Sequence, residues 1–156
     1  MKWLRELGLA RGRGALPRRL LQCCHQGRLV GGLSISLRAT PDEVVGALTH
    51  AMGGAAAQLK VLDVRTGAPV VMEVAHGELK EKWELSDVAA LVHNLDDLFH
   101  ASPGVKLLVV LGEWEDMLQL WALEREVLEK LLAGRRLDDA NNAAVLRRLL
   151  SSGRDG

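Results

Sequence analysis

The residues best spaced to hold a metal are His93, Asp97 and His100. At i, i+4 and i+7 they fall within about 60° of one another on a helix, given roughly 100° of rotation per residue. Two neutral imidazoles and a carboxylate suit zinc or a similar ion. A surface helix also keeps its polar residues on one face, so a solvated face is the plainer expectation. Cys23-Cys24-His25 is a weaker ligand set, because adjacent thiols chelate one tetrahedral ion awkwardly; buried or free thiols are expected there. Glu113, Glu115 and Asp116 follow the apolar run 105–112, where open α/β sheets often place ligands. Carboxylates at that point could bind a cation or exchange protons. The positive end of a helix dipole accounts for them without chemistry, and no His, Cys or Ser lies nearby in sequence.

Other signatures fail on spacing. Gly12-Arg-Gly14 is followed by Pro17 where a dinucleotide loop needs its third glycine, and no Gly-Lys-Ser/Thr occurs. Gly32-Leu-Ser34-Ile-Ser36 has serine where a nucleophile elbow needs glycine, and it reads as strand rather than a strand-to-helix turn. No catalytic residue and no cofactor is implied. Phosphate contact needs clustered cations, which Arg11, Arg13, Arg18, Arg19 and Arg28 supply. Base stacking needs exposed aromatics among them, and only Trp3 is available. Any nucleic-acid contact would therefore be weak and without sequence preference.

The 156 residues suffice for one domain with its own core, built mostly from Leu, Val and Ala. The net charge of zero conceals a segregation: residues 1–39 carry +7, residues 40–134 carry −9 and residues 135–156 carry +2. A basic arm (1–32) thus precedes an acidic body (33–150), with a disordered tail expected at 151–156. The arm reads as two short amphipathic helices, the second led by Pro17 with Leu20, Leu21 and Cys24 on one face. It is expected either to meet a polyanion or to pack on the acidic body. No apolar run reaches the roughly 20 residues of a membrane helix, no signal peptide is read, and a cytoplasmic location follows as the default.

Through the body, the alternation Leu33, Ile35, Leu37 predicts a half-exposed strand near a sheet edge. Thr40-Pro-Asp-Glu43 predicts a capped helix start. The runs 59–64 and 69–74 around Gly67 predict a hairpin. Residues 75–85 read as a loop or solvated turn, and Ser86 as the cap of a helix burying Val88, Leu91, Val92, Leu95, Leu98 and Phe99. Residues 105–112 read as a central strand covered on both faces, and 113–132 as a long helix. That helix carries Met117, Leu120, Trp121, Leu123, Val127, Leu128 and Leu131 over an arc wider than one sheet covers, so these residues are expected to form a protein interface. A last helix should begin at Asp138 or Asp139.

The order strand, helix, hairpin, helix, strand, helix predicts an α+β two-layer sandwich of about four strands, ferredoxin-like or related. Over 41–112 the order helix, hairpin, helix, strand resembles roadblock-type regulatory domains. That resemblance rests on element order, assigns no residue, and implies dimerisation and contact with small GTPases. The functional expectation is a non-catalytic, self-associating regulatory module, a homodimer. Polyanion binding through the arm is the alternative, and a metal-dependent enzyme comes third.

Overall fold

The structure, a computed structural model, describes residues 18–133. The expected first arm helix, the helix from Asp138 and the tail lie outside those residues, as do Arg11 and Arg13. In chain order the elements are α1 (Arg18–His25), β1 (Gly32–Ser36), α2 (Pro41–Met52), a 3-10 turn (Gly54–Gln58), β2 (Lys60–Arg65), β3 (Val70–His76), β4 (Leu79–Leu85), α3 (Val88–Phe99), β5 (Leu107–Trp114), β6 (Met117–Leu123) and α4 (Arg125–Ala133). The class is α+β. The layout differs from the expected four-stranded sandwich: six strands form two antiparallel three-stranded sheets, β1-β6-β5 and β2-β3-β4.

Helices α2 and α3 bridge the sheets, α2 touching β1, β2, β5 and β6 and α3 touching β4 and β5. Between them lies the larger core, with Val44, Leu48, Met72, Leu91, Leu95, Leu118 and Leu120 fully buried. Alternate residues of β6 face the other way. Trp121 and Leu123 meet Leu20, Cys24 and Leu29 in a second cluster under α1, with Val127 and Leu128 of α4 at its margin. Helix α1, though it belongs to the basic segment, therefore packs on the β1-β6-β5 sheet.

Three local features follow directly from short stretches of sequence. Thr40 Oγ1 accepts from Glu43 N and the Glu43 carboxylate from Thr40 N, closing the capping box. Helix α2 stops at Gly53, which takes a φ of +78°. Strands β2 and β3 pair as the predicted hairpin, with Gly67 at positive φ in the loop.

Four expectations are corrected. Residues 113–132 are not one helix: the chain folds back at Glu115-Asp116, both at positive φ (51° and 62°), and returns as β6. Two successive left-handed residues joining directly paired strands make a type I′ turn, whose twist matches that of the strands. The central strand of this sheet is β6, and 105–112 supplies edge strand β5. Residues 75–85 are not a loop: 75–76 end β3, a two-residue turn is led by Gly77 (φ +60°), and 79–85 form β4, with Trp83 and Leu85 buried. This third strand also breaks the helix, hairpin, helix, strand order behind the roadblock resemblance. Asp87, not Ser86, caps α3, its carboxylate accepting from Ala90 N at 2.8 Å.

Asp96 of α3 reaches the free edge of β5. Its Oδ1 accepts from Leu108 N at 3.1 Å. That amide points away from β6, because Ala122, opposite Leu108, directs its own N–H to Gly31 O. Burial pushes the Asp96 carboxyl up from 3.8 to about 6, against the lowering influence of the Leu108 amide, His93 and Arg125. A folded-state value raised above the unfolded one means that the native state holds the proton more tightly. The contribution is fully present below about 4 and is lost as pH rises through about 6. An Asp96→Asn variant keeps the acceptor without the charge. Denaturant melts should show it more stable than the parent at pH 7.5, with the gap closing towards pH 4; a gap independent of pH would contradict this assignment.

Candidate functional site

At the C-terminal end of α1, residues from four places in the chain meet over the outer face of the β1-β6-β5 sheet. Ser34 on β1 and Gln119 on β6 are register partners, so their side chains stand side by side. Gln119 is fully buried, and its Nε2 donates to Ser34 Oγ (2.9 Å) and Met117 O (3.3 Å) and lies 3.3 Å from His25 Nδ1. His25 Nδ1 is 3.4 Å from Ser34 Oγ, and His25 Nε2 is 3.3 Å from Glu115 Oε2. Ser34 Oγ also lies 3.7 Å from Met117 Sδ.

The network assigns the ring tautomer. Nδ1 faces an amide N–H and a hydroxyl, and Nε2 faces a carboxylate, so in the neutral ring the proton sits on Nε2 and the lone pair on Nδ1. A carboxylate, an imidazole and a hydroxyl in series can pass a proton from oxygen to nitrogen, the relation general-base chemistry requires.

Two features here cost stability. Glu115 holds a left-handed φ of 51°, where a residue with a Cβ is disfavoured by roughly 1–2 kcal/mol. Gln119 Oε1 is buried with no hydrogen-bond partner among the described residues; such a group typically costs about 1–3 kcal/mol. Turning the amide over would set its oxygen against Met117 O, so the orphan follows from giving the two N–H bonds to Ser34 Oγ and Met117 O.

Below the cluster, Cys24 donates its thiol to Leu33 O (3.5 Å) and Leu120 O (3.4 Å), and burial pushes its pKa up to about 11. Cys23 and Cys24 are both buried and free, and Cys24 is held as a protonated thiol, unsuited to nucleophilic work.

The sequence candidates lie elsewhere. His93, Asp97 and His100 are exposed on α3 and its C-cap, and His100 Nδ1 turns to Asp97 O rather than to a shared centre. Among the described residues no group of three or more His, Cys, Asp or Glu is placed to hold a metal. His100 lines a shallow cleft of about 470 Å³ with Lys106, Glu124 and Arg125. Of the expected interface, Leu120, Trp121 and Leu123 are buried within their own chain, Met117 borders the Ser34 cluster, and Val127 and Leu128 pack under α1. Leu131 falls in α4. These residues are thus not one exposed helical face, because most of them belong to a strand covered on both sides. Arg18 and Arg19 open α1, and Arg28 is exposed after it.

The Ser34 cluster is invisible in spacing, since His25, Ser34 and the 115–119 stretch come together across 9 to 94 residues of chain. One signal was present: Glu-Asp in a hairpin turn that would ordinarily hold Asn-Gly. Comparisons with protein-family models, curated proteins and solved structures give no match to this chain. Among the described residues no helix is long and apolar enough to cross a membrane.

Proposed function

We propose that this chain is a self-associating interaction module, and that a second copy adds to the sheet along β4. The observation that carries this reading is the character of the sheet edges. Proteins blunt exposed edges with bulges, short strands or covering groups. Strand β2 has a bulge at Leu62, β5 has one at Leu111 and gives Leu108 N–H to Asp96, and β1 is only five residues long. Among the described residues strand β4 has no bulge, shortening or covering group: its seven residues pair with β3 in unbroken register, and its guard is the charge of Lys80, Lys82 and Glu84.

The edge is also self-complementary. After the tight turn at Gly77-Glu78, alternation directs the amides and carbonyls of Lys80, Lys82 and Glu84 outwards. An antiparallel copy centred on Lys82 uses all of these groups. It sets Lys80 against Glu84 of the second copy, and Leu79, which is 46% exposed, against its Leu85. The two central lysines face each other, but each already has Glu73 opposite on β3. The pair of free cysteines favours a reducing, cytoplasmic setting for such a module.

A single edge-strand contact lies at the small end of interface sizes, so a Kd of about 10–100 µM is expected. Sedimentation across that range should show a monomer–dimer equilibrium. Lys80→Glu should weaken it, and the Lys80→Glu, Glu84→Lys double exchange should restore it. A monomer throughout, or no rescue by the double exchange, would refute the β4 contact.

A further inference from the structure

The geometry points to Ser34 as a nucleophile: we propose that the Glu115–His25–Ser34 series lets its hydroxyl attack small, activated acyl esters. The proposal does not depend on self-association. It stands on two independent departures from local preference that converge on one imidazole. A Glu-Asp pair occupies a left-handed turn that glycine or asparagine would fill with less strain, and this delivers a carboxylate to His25 Nε2. A glutamine occupies the fully buried centre of the sheet with one oxygen unpartnered, and this gives an N–H to Ser34 Oγ and sets Nε2 3.3 Å from His25 Nδ1. Local rules broken together at one place are the pattern expected of a functional constellation rather than of a packing accident.

Each group has a defined task. Glu115 is a positioning residue: it fixes the Nε2–H tautomer and leaves the Nδ1 lone pair 3.4 Å from Ser34 Oγ. As Ser34 Oγ bonds to the acyl carbon, its proton passes to Nδ1. The bond from that carbon to the leaving oxygen then breaks, and the departing alkoxide takes the proton from Nδ1, leaving acyl-Ser34 and a neutral ring. Water can repeat the sequence to release the acid. Gln119 Nε2, 2.9 Å from Oγ, orients the hydroxyl oxygen and stabilises negative charge on it. Ser34 is half-buried on an edge strand beneath His25, which selects short acyl groups.

The strand contains its own control. Ser36 lies two residues along β1, on the same face, exposed, with its Oγ accepting from Arg38 N and bonded to no imidazole among the described residues. The full-length protein is exposed briefly to p-nitrophenyl acetate and quenched in acid, and acetylation of the two serines is compared by peptide mass spectrometry. Ser34 is expected to acetylate about a hundredfold faster than Ser36, the low end of general-base assistance. His25→Gln should remove the advantage and Glu115→Gln should reduce it, both leaving the Ser36 rate unchanged. Equal rates at Ser34 and Ser36 in the unaltered protein would overturn the proposal even if the variants fail to fold, and so would a Ser34 advantage that survives His25→Gln in a folded variant.

Discussion

Replacing Trp121 with alanine is expected to destabilise the fold by about 3–5 kcal/mol, the range for removing a large aromatic side chain from a core. Trp121 is 1% exposed at the middle of β6, between Gly32 of β1 and Val109 of β5. Its ring fills the space beneath α1 with Leu20, Cys24, Leu29, Leu111 and Leu123, and its Nε1 donates to Val30 O at 3.0 Å. Removing the ring leaves a gap among these side chains, so transfer and cavity costs both apply. The loss is comparable to the whole stability of many domains, commonly 5–15 kcal/mol. Urea unfolding followed by circular dichroism should therefore show a midpoint displaced to a small fraction of the parent's, or no native baseline. A change below about 1 kcal/mol, typical of surface substitutions, would contradict the burial of Trp121 beneath α1.

That experiment bears on why half of this fold was legible in the sequence and half was not. The Thr40–Glu43 box, the glycine that ends α2 and the β2–β3 hairpin were readable because each depends on a short stretch with a specific chemical requirement. The 113–132 stretch misleads because its apolar residues satisfy two periods at once. Met117, Leu120, Trp121, Leu128 and Leu131 fit a helical stripe, and 117–123 equally fits a strand buried on both faces, a run that periodicity alone cannot assign. Glycine or asparagine at 115 and 116 would have marked the turn; Glu-Asp marked a helix start instead.

Strand β4 was hidden for the opposite reason. Its outward residues Lys80, Lys82 and Glu84 are charged and its inward set is only Glu81, Trp83 and Leu85, so the alternation is sparse. Once β4 and β6 are strands, the sequence's excess apolar surface moves inside the chain. Among the described residues, what the fold leaves open is a strand edge and not an apolar helix face. The candidate site is hidden in a similar way: Ser34 and Glu115 carry no signature in isolation, and only pairing of β1 with β6 under α1 brings them to the same imidazole.

The second large effect is expected at Gly31, where the chain leaving α1 turns into β1. Gly31 has a φ of +83°, its carbonyl accepts from Ala122 N at 2.9 Å, and a Cβ built on it would lie 2.5 Å from Ala122 O. An added methyl group therefore meets backbone rather than a side chain that can swing away. Relief requires β1 and β6 to separate at this point, which sacrifices the Ala122 bond and loosens Val30, the partner of Trp121. Gly27 provides the comparison. Its φ is +73°, but nothing lies within 4 Å of a Cβ there. Gly27→Ala should cost only the left-handed conformational penalty, about 1–2 kcal/mol. Gly31→Ala should cost that penalty plus the steric term and the broken bond, in total about 3 kcal/mol or more. For a domain of this size, about 1 kcal/mol corresponds to roughly 2–4 °C in Tm, so thermal melts should separate the two variants by several degrees. Hydrogen exchange should locate the difference: Ala122 N–H loses protection in Gly31→Ala and keeps it in Gly27→Ala. Equal melting temperatures would show that α1 and its connection are not seated on β6, and with them would go the juxtaposition of His25 and Ser34.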